Sequence, residues 1–288
     1  MKPFFPVFST AVLSIVAISM TILARGQITK DSSPPRTAYL GFDRDLYPGD
    51  PALPALRKTF AFTSYWLSPP PGEKTTTWVA KRDFLRNLGF GFLVLFRGRD
   101  SHEFRKESDA TAKGTLDAQA AAAAAKKEGF PTGTIIFLDV EEGGRLSPPY
   151  HAYLHVWVDV LTRSGYRAGV YCSGISAKEP GGVTILTADD IRDHAGNRAF
   201  VFYVYNDGCP PSPGCSFPDK APAPSASGVS YARAWQFAQS PRRKEFAANC
   251  PPGYHQNGNC YSPGDTSYSW DLDVDTAASA DPSNGARP

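Results

Sequence analysis

Eight short apolar segments, spread over residues 39–274, constrain the fold more than any other feature of the sequence. Several of them are apolar on both faces, which is typical of parallel strands that are covered by helices. The predicted strands cover residues 39–43, 60–67, 90–97, 134–139, 167–172, 200–205, 232–237 and 269–274.

Helical segments separate several of these strands. Residues 115–128 contain six consecutive alanines, so we predict a helix that Thr115 caps, that Gly129 ends and that packs closely on a sheet. Further helices are predicted over residues 77–88, 150–164 and 187–194. Strands that alternate with helices predict an α/β fold, a single (β/α)8 TIM barrel over residues 38–276, with a doubly wound open sheet as the alternative.

The first 26 residues predict export. Lys2 precedes a short apolar stretch over residues 11–23, and small residues follow before Gln27, as in a signal peptide. An uncleaved N-terminal anchor is the alternative. We therefore expect a secreted, periplasmic or cell-envelope protein with a linker over residues 27–37 and a disordered tail over residues 277–288.

Charge argues against nucleic acid as a partner. The net charge is +2, and residues 1–26 carry two basic residues and no acid, so the remaining chain has 28 basic and 28 acidic residues. A near-neutral chain lacks the basic surface that binds a phosphate backbone. We expect no membrane contact beyond the signal segment, and a monomer.

Four of the five cysteines lie in two long loops. Two local disulfides, Cys209 with Cys215 and Cys250 with Cys260, are the simplest pairing, although four cysteines allow three connectivities. Zinc binding is the alternative. The loops, residues 206–231 and 238–268, follow predicted strands and would lie on the C-terminal face of a barrel. The fifth cysteine, Cys172, lies in an apolar strand and is predicted to be a core residue.

Carboxylates occur where three predicted strands end. In "IIFLDVEEGG", residues 135–144, Asp139 and Glu141 lie two residues apart and share a face, roughly 6.5 Å apart along the strand. The first strand ends at Asp43, and the last contains Asp271 and Asp273. Strands one and eight are neighbours in a closed barrel and strand four lies across its mouth. Asp43, Asp139, Glu141 and Asp271 are therefore expected to converge.

Convergent carboxylates suit acid–base chemistry. Two that lie close together resist simultaneous ionisation, so one of them can stay protonated near neutral pH. A protonated acid beside an ionised partner is what cleavage of a glycosidic bond requires. A structural role for these acids, such as a solvated pair at the start of a loop, is the alternative.

Six segments in order resemble one family. They are "GFDRDLYPG", "FRGR", "DAQAAAAAAKKEGFPTGTIIFLDVE", "YRAGVYCS", "AWQF" and "WDLDVD". Together they resemble the glycoside hydrolase-like, Rv2525c-like family called domain of unknown function 1906, over most of residues 38–276. Members are exported bacterial proteins with a single barrel similar to family 25 glycoside hydrolases, the lysozyme-like muramidases.

The resemblance implies roles for individual residues. Glu141 would be the proton donor, and Asp139, Asp43 and Asp271 would complete the catalytic group. Asp273 stands where the muramidases usually have Asn, which adds negative charge. The residues predicted to contact substrate are Tyr65, Arg97, Tyr171, Tyr203, Trp235, Gln236 and Asp273.

The predicted function is hydrolysis of a β-linked, N-acetylated polysaccharide, with peptidoglycan as the leading candidate and without a cofactor. A barrel that binds cell-wall polysaccharide without cutting it is the first alternative, because a fold does not establish chemistry. The second alternative is a calcium or magnesium site built from the oxygen ligands of Asp43, Asp139, Glu141, Asp271 and Asp273.

Overall fold

The structure is a computed structural model, and it describes residues 38–209, 220–238 and 272–287. Its ten strands are β1 (Tyr39–Asp43), β2 (Phe62–Trp66), β3 (Gly91–Arg97), β4 (Ile135–Asp139), β5 (Arg167–Ser173), β6 (Ser176–Lys178), β7 (Thr184–Leu186), β8 (Val201–Cys209), β9 (Ala234–Ala238) and β10 (Asp273–Ala277). Its α-helices are α1 (Leu53–Leu56), α2 (Arg82–Asn87), α3 (Glu107–Lys127), α4 (Pro148–Arg163) and α5 (Thr187–Asp193). Within these residues, no helix combines the length and the apolar character that crossing a bilayer requires.

Eight of the described strands close into a barrel in the order β1-β10-β9-β8-β5-β4-β3-β2, and β6 and β7 form a separate hairpin. The predicted α/β barrel is confirmed. One strand departs from the (β/α)8 pattern, because β10 runs antiparallel to both of its neighbours, β1 and β9. The first residues of β10 therefore lie at the same end of the barrel as the last residues of the parallel strands. We call this end the mouth.

Aromatic rings opposite glycines fill the lower part of the barrel. Phe62 of β2 is fully buried, and a Cβ atom added at Gly41 would lie 2.1 Å from its ring. Phe137 of β4 fills the space beside Gly169 in the same way, with its ring 2.4 Å from an added Cβ. The interior is a packed core at this level, so the open space for chemistry lies above it, at the mouth.

The helix of the alanine run is longer than predicted. α3 begins at Glu107 rather than at residue 115, and Gly114 lies within it. A Cβ atom at Gly114 would lie 2.8 Å from the backbone oxygen of Tyr153 in α4, so the glycine permits close helix packing and does not end the helix. Thr115 is not a cap, because its hydroxyl donates to the backbone oxygen of Thr111 one turn earlier.

The prediction of a disordered tail is wrong for residues 277–287. Ala277 belongs to β10, and the following residues cross the end of the barrel opposite the mouth. Ser283 donates its N–H to the backbone oxygen of Phe92 (2.8 Å), and its own backbone oxygen accepts from the N–H of Ile135 (2.8 Å). These polar residues are ordered because they satisfy backbone groups at the beginnings of β3 and β4.

Several predictions lie outside the described residues. They are the signal peptide and linker over residues 1–37, the catalytic role of Asp271, and the disulfides of Cys215, Cys250 and Cys260 with the side chain of Cys209. The prediction for Cys172 is confirmed, since its thiol is free and buried in β5.

Candidate active site at the barrel mouth

Carboxylates from three strands meet at the mouth. β1 ends at Asp43, which pairs in register with Asp273, the first residue of β10. β4 ends at Asp139, and the charge of Asp43 acts on it across the barrel. We name the acids of this region the acidic mouth: Asp43, Asp45, Asp139, Glu141, Asp273 and Asp275.

Asp43 lies deep in the acidic mouth. Its side chain is almost completely buried, and its Oδ1 atom has no hydrogen-bond partner among the described residues. Burial, with a smaller contribution from the negative charge of Asp45, raises the pKa of Asp43 to about 7. Asp43 can therefore hold a proton near neutral pH, because desolvation penalises its charged form.

Asp139 is also buried, and its Oδ1 atom likewise lacks a partner within the described part of the chain. Burial raises its pKa well above the ordinary value, and the charges of Glu141, Asp43 and Asp45 raise it further. The guanidinium of Arg97, at the end of β3, lowers it. In the predicted convergence of Asp43, Asp139 and Glu141, the charges of the other two acids thus both act on Asp139.

Glu141 occupies the rim of the mouth. It follows β4 directly, and its side chain is exposed, whereas Val140 between it and Asp139 is fully buried. The carboxylate of the next residue, Glu142, accepts a hydrogen bond from the backbone N–H of Ser101. The Tyr205 hydroxyl donates to the backbone oxygen of Glu141 at 3.4 Å. Glu141 is therefore placed where a polymer outside the barrel could reach it.

Asp275 is a fourth buried or rim acid that was not predicted from the sequence. This carboxylate is fully buried and accepts a hydrogen bond from the Tyr203 hydroxyl at 2.8 Å. Burial raises its pKa well above the ordinary value, and the charge of Asp43 contributes in the same direction. The segment "WDLDVD" contained the signal, because its third aspartate shares the face of the first two.

Hydrogen bonds cross the barrel beneath the acids. The Tyr171 hydroxyl donates to Oε1 of Gln236, which lies two strands away around the ring. Gln236 then donates from Nε2 to Oδ2 of Asp273 at 2.7 Å. Tyr171, Tyr203, Gln236 and Asp273, all predicted to contact substrate, therefore lie together at the mouth. Tyr203 and Gln236 are buried and form its floor.

Two other residues predicted to contact substrate face away from the mouth. Tyr65 lies on the outer face of β2, fully buried against Trp78 and Phe130, and its hydroxyl donates to Glu128. Trp235 lies on the outer face of β9 and donates its indole N–H to Asn206 at 2.7 Å. Each of these residues is next to an inward-facing residue of its strand. Because successive side chains of a strand point to opposite faces, Tyr65 and Trp235 point outward.

The geometry of the acidic mouth differs from that of a compact metal site. Among the described residues, no three of its acids bring carboxylate oxygens within 4.8 Å of one another. Three ligand atoms do come that close at His151, Asp190 and His194, beside the barrel. This second group was not predicted from the sequence, although His151 with His155 and Asp190 with His194 are each four residues apart, as on one face of a helix.

Fold and site together define an α/β barrel with buried carboxylates at its mouth, where burial raises the pKa values of Asp43, Asp139 and Asp275. Residues 71–206 match the family model of the Rv2525c-like, glycoside hydrolase-like domain. The resemblance inferred from the sequence motifs is therefore confirmed.

Three solved structures are similar to this chain. An uncharacterized protein of B. stearothermophilus has a TM-score of 0.52 and 19% identity, over 83% of this chain and 95% of that protein. The Tat-secreted protein Rv2525c of Mycobacterium tuberculosis is 15% identical with a TM-score of 0.48, over 84% and 95% of the two chains. The catalytic domain of the endolysin ply40, from bacteriophage P40 of Listeria monocytogenes, is also 15% identical with a TM-score of 0.48, over 88% and 98%. The first of these supports the fold. A search of curated proteins gave no match.

Proposed function

We propose that the acidic mouth hydrolyses glycosidic bonds in a β-linked, N-acetylated polysaccharide, and that peptidoglycan is its substrate. The observation that carries this proposal is the pairing of buried Asp139 with exposed Glu141 at the end of β4. The charge of Glu141 raises the pKa of Asp139, so the pair tends to retain one proton between its two carboxyls. Glycosidases cleave their substrates with a protonated acid beside an ionised carboxylate.

Each member of the pair has a role in the proposed reaction. Glu141 gives the shared proton to the oxygen of the leaving sugar while the bond from that oxygen to the anomeric carbon breaks. Because burial favours the proton on Asp139 in the free protein, the bound sugar must draw that proton across to Glu141, and Asp139, ionised by this transfer, accepts a hydrogen bond from the N–H of the 2-acetamido group. The acetamido oxygen attacks the anomeric carbon, and water then opens the resulting ring, so the substrate supplies its own nucleophile.

The deeper acids adjust this pair. Asp43 holds its proton near neutral pH, and its charge state acts on both Asp139 and Asp275. Asp273, fixed by Gln236, adds a carboxylate at the rim where related muramidases usually have an amide. We therefore propose that the site favours sugars and peptide stems without additional negative charge.

Delivery to the cell wall is part of the proposal. Peptidoglycan lies outside the cytoplasmic membrane, and the predicted signal peptide over residues 1–26 would carry the chain there. The match to a glycoside hydrolase-like domain supports the reaction class.

The experiment is a comparison of two glutamate variants on purified peptidoglycan and on chitin oligomers. Glu141→Gln removes the proton donor, and because the side chain is exposed, folding should be unaffected. Glu73→Gln is the control, because it changes an exposed glutamate that is not among the acids acting on Asp139. We expect new reducing ends with the wild-type chain and with Glu73→Gln, and a loss of about 100-fold or more with Glu141→Gln. Sedimentation of the wild-type chain with peptidoglycan, without any new reducing ends, would contradict hydrolysis and support the binding-barrel alternative.

A further inference from the structure

A second group of chemically active side chains lies beside the barrel, between α4 and α5. His151 is in the first turns of α4, Asp190 is in α5, and His194 follows the end of α5. Each element supplies a pair four residues apart, His151 with His155 and Asp190 with His194. Residues four apart lie on the same face of a helix, so these pairs face one another across the helix contact.

The three ligand atoms are close together. Nε2 of His151 lies 3.1 Å from Oδ2 of Asp190, and Nδ1 of His194 lies 3.3 Å from Oδ1 of the same carboxylate. Nδ1 of His194 also lies 2.8 Å from the backbone oxygen of Asp190, so a metal ion at Nδ1 would replace the hydrogen of this contact. The two imidazole rings are stacked, with centroids 4.2 Å apart and an interplanar angle of 27°. One ligand atom from each residue lies within 4.8 Å of the other two, so a metal ion with bonds of about 2.0–2.2 Å could reach all three after the stacked rings rotate towards it.

Two of these atoms are buried without a hydrogen bond. The Asp190 side chain is 1% exposed and that of His151 is 11% exposed. Among the described residues, Oδ1 of Asp190 and Nε2 of His151 lie at ion-pair distances from their neighbours but make no hydrogen bond of normal geometry. A buried polar atom without a partner costs about 1–3 kcal/mol in a folded protein, so these two atoms call for a ligand.

We infer that His151, Asp190 and His194 form a site for a divalent transition-metal ion, with Zn²⁺ as the ion that best fits the ligands. Two imidazole nitrogens and one carboxylate oxygen are the donors that Zn²⁺ prefers, whereas Ca²⁺ and Mg²⁺ prefer oxygen ligands alone. Three protein ligands leave a fourth position for water, and a cavity beside the group, lined by His155, Ala152 and Glu107, is open to solvent on that side.

Neighbouring residues already hold the ligands in place. Oδ2 of Asp190 accepts a hydrogen bond from the backbone N–H of Leu146 at 2.9 Å, and Nε2 of His155 lies 2.7 Å from the backbone oxygen of His194. Such partners of the ligands orient a metal site. Because Leu146 ends the loop that begins at Glu141, a metal ion at Asp190 would fasten that loop to α5.

Arg145 is the nearest competing cation. Its Nη1 atom lies 3.8 Å from Oδ1 of Asp190, while its Nε atom pairs with Glu179 at 3.1 Å. A positive charge at this distance opposes the binding of a second cation. Arg145→Gln should therefore increase the affinity for Zn²⁺, which a purely structural histidine–aspartate contact would not produce.

The test is calorimetric titration of the metal-free full chain with ZnCl₂, together with thermal unfolding with and without the ion. We expect one equivalent to bind and to raise the melting temperature. His194→Ala, at a half-exposed side chain, should fold and should weaken binding by more than the 10- to 100-fold that loss of an outer partner costs. His102→Ala changes a histidine whose side chain is 80% exposed and should bind like the wild-type chain.

Co²⁺ replaces Zn²⁺ in a second measurement that distinguishes the ligands. Nitrogen and oxygen ligands give weak visible bands, whereas cysteine thiolates add an intense near-ultraviolet charge-transfer band. Absence of Zn²⁺ binding, equal affinity in His194→Ala, binding of Mg²⁺ as strong as that of Zn²⁺, or a thiolate band would each overturn the assignment.

Discussion

At the scale of single residues, Asp43 shows most directly what the barrel does to a carboxyl group. An isolated aspartate ionises near 3.8, but burial raises the pKa of Asp43 to about 7. The difference corresponds to about 4 kcal/mol between the protonated and the ionised forms. The folded protein therefore gives up stability to keep this acid at the mouth, which is common at functional sites.

Asp43 should make stability depend on pH. Its pKa is higher in the folded than in the unfolded chain, so its stabilising contribution is complete below about pH 4 and is lost as the pH rises through about 7. Asp43→Asn cannot ionise. We expect the variant to be more stable than the wild-type chain at pH 8, with the difference shrinking or reversing at pH 4. Urea unfolding at both pH values measures this, and a pH-independent difference would contradict it.

Tyr203 offers a second prediction at the residue scale. Its hydroxyl lowers the pKa of Asp275 by donating a hydrogen bond to it. Tyr203→Phe leaves that buried carboxylate without its donor, so we expect a loss of about 1–3 kcal/mol in the free energy of unfolding at pH 8. The loss should be smaller at pH 5, where Asp275 is protonated more readily. Tyr39→Phe, at an exposed tyrosine, is the control.

At the scale of elements, packing decides what the local sequence leaves open. Thr115 predicts a helix start by local rules, yet α3 begins at Glu107 and continues through Gly114, where α4 lies against it. The polar segment after β10 predicts disorder by composition, yet it pairs with exposed backbone groups of β3 and β4. In both places the partner is distant in the sequence.

Gly114→Ala should destabilise the protein although alanine favours helices. The substitution gains about 1 kcal/mol in helix propensity. Its Cβ atom would lie 2.5 Å from Val156 and 2.8 Å from the Tyr153 backbone oxygen, so α3 and α4 must separate, at a cost of about 1–3 kcal/mol. Gly143→Ala adds a methyl group where no atom lies within 4 Å and should change the unfolding free energy little. A more stable Gly114→Ala variant would contradict the packing account.

Asp281 anchors the C-terminal segment to the barrel. Its carboxylate accepts hydrogen bonds from the backbone N–H groups of Phe92, Gly285 and Ala286 at 3.0, 3.1 and 2.9 Å. Asp281→Ala should lower the free energy of unfolding by at least about 2 kcal/mol, because three donors lose their acceptor. Asp83→Ala, at a side chain that is 76% exposed, should have little effect. Equal stability of the two variants in urea would show that the segment contributes nothing.

At the scale of the whole molecule, the barrel could be predicted because alternating apolar strands and helices leave few alternatives. The convergence of Asp43, Asp139 and Glu141 could be predicted from the barrel, because closing the barrel brings the ends of its strands together. The direction of β10 could not be predicted, because the alternation of faces in "WDLDVD" is the same in either direction. The group of His151, Asp190 and His194 could not be predicted either, because its members come together only where α4 packs against α5.

The central claim is that the closed barrel holds protons on buried carboxyls at neutral pH, beside the exposed Glu141. The most direct test is an NMR titration of the aspartate side-chain carboxyl carbons, with Asp43→Asn and Asp139→Asn used to assign the signals. The account predicts that Asp43 titrates near pH 7 and that the pKa of Asp139 is well above the ordinary value. Midpoints near pH 4 for both groups would contradict it.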